Sequence, residues 1–138
     1  MRACYASVTT VLQQPYTPKK WNLAGLKGIS DHTLEVHFGL YEGYVKNTNL
    51  LNEQLEALAH AGKATASNLS FAELSRHLGF EYNGMVLHEY YFDNLTSAGK
   101  GAPASGKLFD VATASFGDFK TWKDDFAAVG GMRGVGWA

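Results

Sequence analysis

Two histidines set among apolar and aromatic residues carry most of the chemistry this chain offers. His37 lies in Thr33-Leu34-Glu35-Val36-His37-Phe38-Gly39-Leu40-Tyr41, and His88 in Met85-Val86-Leu87-His88-Glu89-Tyr90-Tyr91-Phe92. A neutral imidazole ligates iron, manganese or zinc well when its second nitrogen is held by an acceptor. On two facing helices, the pair offers one ion two nitrogens. Taken singly, each could equally be a core polar group satisfied by a hydrogen bond. Tyr44 follows His37 at a spacing of two helical turns, about 10 Å along the axis and on nearly the same face. Its phenol therefore either borders a pocket that His37 lines or is an interface aromatic with its hydroxyl in solvent. His32, in a first helical turn, and His60, near a helix end where a cation suits the dipole, read as structural or solvated. His77, beside Arg76 on a charged stretch, reads the same way.

Other chemistries find no support. His88-Glu89 opens like a zinc-protease motif, but Phe92 stands where the second histidine belongs, and no Glu-x-x-His pair supports a di-iron bundle. There is no phosphate-binding loop and no Gly-x-Ser-x-Gly. The glycines of Gly130-Gly131 and Gly134-Val135-Gly136 are not followed by a helical pattern that would make a dinucleotide loop. Cys4 is the only cysteine, which excludes an intrachain disulfide and any cysteine-based metal cluster, and fits a reducing cytoplasm.

Positioning the two histidines requires two long helices. Ser30 is a good N-cap with Asp31 in the first turn, and the apolar face Leu34, His37, Tyr41, Tyr44, Thr48, Leu51, Leu55, Leu58 predicts a helix to about Ala61. Gly62 and the polar segment 63–68 form the turn. Ser70-Phe71-Ala72-Glu73 matches a capping box for a second helix, with Leu74, His77, Glu81, Met85, His88 and Phe92 on one face. Gly79 and Gly84 each weaken it by roughly 1 kcal/mol relative to Ala, and mark a close approach or a bend. The expected unit is an antiparallel α-hairpin. Shorter helices are expected at about 108–114 and 117–128, the Phe116–Phe126 stripe forming core. The expected organisation is an irregular lead-in over 1–28, the hairpin over 29–98, a Gly/Ala/Pro/Ser linker over 99–106 and an incomplete α/β domain over 107–138. The fold class is thus mainly α, with the sheet of the second domain missing and apolar surface on 107–138 uncovered.

The net charge is −1, from 12 basic and 13 acidic residues with no basic run, which argues against a nucleic-acid partner. No stretch of about 18 apolar residues suggests a membrane span, and the first ten residues lack a signal core. A cytoplasmic location is the expectation.

Five stretches, in order, resemble the iron/manganese superoxide dismutase family. Ile29-Ser30-x-x-Thr33-Leu34-Glu35-x-His37-Phe38-Gly39 resembles the start of its first long helix, and Tyr44-Val45-Lys46-Asn47-Thr48-Asn49 the segment that follows. Asn83–Leu95 resembles its second helix, Ala114-Ser115-Phe116-Gly117-Asp118-Phe119 its Phe-Gly-Ser-Phe signature, and Gly134-Val135-Gly136-Trp137-Ala138 its Gly-Ser-Gly-Trp-Ala. The resemblance implies one iron or manganese ion per complete subunit, with His37 and His88 as two of its four ligands. It places Tyr44 at the substrate channel and Trp137 on the pocket lining. The implied reaction converts superoxide to dioxygen and hydrogen peroxide as the metal alternates between +2 and +3. The implied assembly is a homodimer. The family's other two ligands, in an Asp-x-x-x-His motif, have no match in these 138 residues, so the match is to an N-terminal portion and activity of the 138 residues alone is doubtful. The alternative is a non-catalytic helical-hairpin interaction module derived from the same family.

Departures from the family pattern are specific. Tyr44 is one residue closer to the first ligand than in most members. That predicts a regular α-helix where many relatives carry a π-bulge. The common histidine before the tyrosine is replaced by Leu40 or Tyr41, Phe92 stands where tryptophan is usual, and Gly84 stands where iron-type members often place glutamine.

Overall fold

A computed structural model describes residues 14–97, 103–134 and 136–137. Cys4, the first part of the lead-in and linker positions 99–102 lie outside the described residues, as do Val135 and Ala138. Four helices are present among the described residues: α1 (Asp31–His60), α2 (Leu69–Asp93), α3 (Lys107–Phe116) and α4 (Phe119–Gly130). No strand occurs among the described residues. The chain divides into two compact units, one through Leu95 and one from Thr96.

In the first unit α1 and α2 pair as an antiparallel hairpin. Ser30 caps α1, its hydroxyl accepting the Thr33 N–H at 3.1 Å with Asp31 behind it. This is worth about 1 kcal/mol over an alanine. The helix is α-helical throughout its 30 residues, with no π turn between His37 and Tyr44. Gly62, at φ +68°, turns the chain after it, a conformation that glycine adopts at no steric cost. The start of α2 differs from the expected capping box. Asn68 is the cap, its side-chain oxygen accepting the Phe71 N–H at 3.2 Å. Asn caps as well as Ser, and starting there adds a backbone bond from Ala72 N–H to Asn68 C=O at 3.0 Å. Ser70 is thereby inside the helix, and Glu73 pairs with Arg76 instead.

The core between the helices comprises Leu34, Tyr41, Val45, Met85 and Phe92, joined by Leu23 from the lead-in. That lead-in is irregular, yet it is clamped along the hairpin. Asn49 holds the Tyr16 backbone with a two-bond fork, accepting its N–H at 2.8 Å and donating to its C=O at 2.9 Å. Trp21 lies against Tyr41 (5.2 Å between ring centroids) and Phe92 (4.9 Å), and its indole N–H donates to Asp93 at 2.7 Å. No helix among the described residues is long and apolar enough to cross a membrane.

The second unit is built on α3 and α4. Asp118 caps α4 through the Thr121 N–H at 2.6 Å. Phe109, Phe119, Trp122 and Phe126 form a ladder of rings 4.9–5.6 Å apart. The expectation that the Phe116–Phe126 stripe is core fails: Phe116 is 41% and Phe126 51% exposed, and Phe119 and Trp122 are only half-buried. Two short helices offer too little surface to cover a whole stripe, and of these helices only Ala112 is buried. The expected uncovered apolar surface is there, in Leu108, Val111, Val129 and Met132 as well.

Candidate metal centre

The antiparallel pairing brings His37 from α1 and His88 from α2 together. Their ring centroids are 4.8 Å apart and their planes nearly perpendicular, at 76°. Phe92 lies 4.9 Å from the His37 ring at 66° and Tyr91 5.0 Å from it at 49°. His88 is buried and His37 half-buried. Burial first, and the neighbouring His88 second, hold the His37 imidazole below its ordinary titration range, which keeps it neutral and able to ligate.

His88 is oriented by its own helix. Its Nδ1 lies 2.6 Å from the Gly84 carbonyl one turn earlier. A carbonyl can only accept, so Nδ1 carries the proton and Nε2 the lone pair. Fixing the tautomer through a backbone carbonyl is how metal-ligating histidines are commonly prepared. Two neutral imidazoles whose rings lie 4.8 Å apart are donors of a type that would suit one first-row ion held between them. Among the described residues no group of three or more His, Cys, Asp or Glu could hold a metal, so the pair is the whole ligand set seen here.

Tyr44 reaches this pair. Its ring is 5.1 Å from that of His88 and 6.0 Å from that of Phe80. Gly84 makes room for it: a Cβ there would lie 2.3 Å from Tyr44 Cδ1. Gly84 thus serves twice, through its carbonyl for His88 and its missing side chain for Tyr44. Gly79 has nothing nearby that would explain it. Trp137 belongs to the second unit, where it is 48% exposed and lines a shallow hollow with Met132 and Arg133. The other histidines stand apart from the pair. His32 is highly exposed, His60 pairs with Glu56 and His77 with Glu81.

Two features were not singled out as functional from the sequence. Tyr41, buried against Phe92, donates its hydroxyl to Glu89 at 3.0 Å and accepts the Lys19 N–H at 2.9 Å, and Lys19 Nζ meets Glu89 at 2.5 Å. Burial holds the Tyr41 phenol above its ordinary value, so it stays a donor. Glu81 is a buried carboxylate. Its available signal was a charged residue at an inward position between His77 and Met85.

No family model matches the chain. Its sequence is 33% identical over 113 residues to the iron superoxide dismutase of Pyrobaculum aerophilum, covering 80% of this chain and 52% of that protein. The iron superoxide dismutase of Aquifex pyrophilus is 42% identical over 82 residues, 57% of this chain and 38% of that protein. A manganese superoxide dismutase of Haloferax mediterranei is 35% identical over 96 residues, covering 70% and 62%. The chain spans about half the length of the first of these curated relatives.

Proposed function

The chain belongs to the iron/manganese superoxide dismutase family, and from that premise we propose that His37 and His88 hold one iron or manganese ion for the dismutation of superoxide. The observation that carries this reading is the pair of imidazoles 4.8 Å apart, with Nδ1 of His88 committed to the Gly84 carbonyl. In the reaction two superoxide anions and two protons give one dioxygen and one hydrogen peroxide. One electron passes between the anions, and a bound iron or manganese ion supplies the means of storing it. The chain's own residues prepare the place. Gly84 fixes the His88 tautomer, and Phe92 and Tyr91 shield His37 from water. Tyr44 walls the site with a phenol that limits access to small anions. Trp137 is carried in this reading as a further residue for the reaction, and homodimerisation is part of it.

Two imidazoles alone hold such an ion weakly. The 138 residues should therefore bind added iron(II) or manganese(II) reversibly and show slow, metal-dependent dismutation. Metal analysis and a superoxide assay on the purified chain test this. H37Q and H88Q should each abolish the metal-dependent rate. A rate unchanged in both variants would overturn the assignment. The exposed side chains of Val36, Leu40 and Phe80 favour a second reading, a helical hairpin that binds a protein partner without metal. It predicts partner capture insensitive to H37Q and H88Q but lost in L40E.

A further inference from the structure

Glu81 is the one buried acid among the described residues, and the pair His37 and His88 does not use it. It sits on α2 two turns before His88 and lines an open groove with Leu40, Gly43, Tyr44 and Asn47. It faces His77 from its own helix, and Asn47 and Tyr44 from α1. His77 Nε2 is 2.9 Å from Glu81 Oε1, and Asn47 donates its amide N–H to Oε2 at 3.2 Å. The nearest cation on the helix, Arg76, is engaged by Glu73. His77 is 57% exposed at its side chain, whereas Glu81 is 6%. The pair therefore links an exposed imidazole to a buried carboxylate that lines the open groove beside Tyr44.

Burying a carboxylate is costly unless it is hydrogen-bonded and paired. A hairpin needing only stability would be served as well by an apolar side chain of similar volume. Retaining the acid with an imidazole at the surface makes a unit that exchanges protons with water at one end and presents a carboxyl at the other. Imidazole is the side chain whose ordinary titration lies in the neutral range.

We propose that His77 and Glu81 form a proton-delivery pair for the groove beside Tyr44. This rests on the dismutase reading, because that reaction consumes one proton per superoxide. The proton leaves His77 Nε2 for Glu81 Oε1, and the protonated carboxyl releases it into the groove. Glu81 returns to carboxylate, and neutral His77 recovers a proton from solvent. Asn47 holds the carboxylate plane throughout. No electron moves in these steps. Glu81 and His77 are positioned proton carriers and do not touch the metal.

The test uses the full chain supplied with excess iron(II) or manganese(II), with dismutation followed by pulse radiolysis across pH 6–9. E81Q and H77Q should lower the rate on the alkaline side roughly tenfold or more, the scale of a lost proton-transfer group. Imidazole or ammonium buffer should restore it, which a merely structural role would not allow. Independently, in the metal-free protein at one fixed pH, the Glu81 carboxyl ¹³C shift should move in H77Q, reporting loss of its imidazole partner. If the unsubstituted protein turns over while both variants keep its pH profile and ignore buffer, the proton-delivery role is overturned and the dismutase reading stands. If the unsubstituted metal-supplied protein does not turn over at all, the dismutase reading fails and this role falls with it.

Discussion

Replacing Gly84 with Ala asks whether the missing side chain matters to the site. In an open helix the change is favourable by about 1 kcal/mol, from propensity alone. Here the added methyl would sit 2.3 Å from Tyr44 Cδ1, 2.4 Å from Cε1 and 2.8 Å from Cγ. A comfortable carbon–carbon contact is about 3.5 Å, so the ring must withdraw by about 1.2 Å. Because Cγ itself is crowded, rotation about χ2 does not relieve the clash, and χ1 must leave its well. Overpacking of this kind costs about 1–3 kcal/mol, which cancels or exceeds the propensity gain. A double-mutant cycle separates the two effects. With Tyr44 intact, Gly84→Ala should be neutral or destabilising by up to about 2 kcal/mol. In a Tyr44→Ala background it should stabilise by about 1 kcal/mol. Urea unfolding of the four proteins gives a coupling of about 1–3 kcal/mol. Equal stabilisation in both backgrounds would refute the claim that Gly84 exists to admit Tyr44.

Further expectations concern stability and pH. Thr48 is buried with its hydroxyl lacking a hydrogen-bond partner among the described residues, so Thr48→Val, of nearly the same shape, should raise the urea midpoint by an amount equivalent to about 1 kcal/mol. Asn68→Ala should destabilise by about 1 kcal/mol through loss of the α2 cap, whereas Ser70→Ala, inside the helix, should stay within about 0.5 kcal/mol by the same measurement. His37 titrates below its ordinary value of 6.5 in the folded chain because of burial and then His88. The unfolded state therefore takes up its proton first as pH falls. The stability linked to His37 is complete above the ordinary value and is lost as pH drops through the lowered native one. Thermal melts from pH 7.5 to pH 5 should show this loss, and H37Q should flatten it.

The hairpin was legible because its signals agree. Ser30 and Asp31 mark the start of α1, Gly62 marks the turn, and the apolar period brings Leu34, Tyr41 and Leu51 onto one face. The juxtaposition of His37 and His88 followed from that pairing. The start of α2 was misplaced because Asn68 and Ser70 cap equally well by type, and the winner depends on how the turn delivers the chain. Val45 was not placed on the inward face, although it is buried. The core of a long helix is wider than one strict row of positions. The clamped lead-in was invisible because nothing periodic announces it. Its order comes from distant partners, Asn49 at Tyr16 and Asp93 at Trp21. The aromatic stripe on α3 and α4 read as core from spacing alone, since spacing says which residues share a face and not whether anything covers it.

The shared-ion geometry can be read directly with copper(II) as a spectroscopic probe. Pulsed electron paramagnetic resonance on the chain with one equivalent of copper(II) should show couplings from two imidazole nitrogens. H37Q and H88Q should each reduce them to one, and the double variant should leave none. Two-nitrogen couplings that persist unchanged in H37Q and in H88Q would mean that these two rings do not hold a common ion.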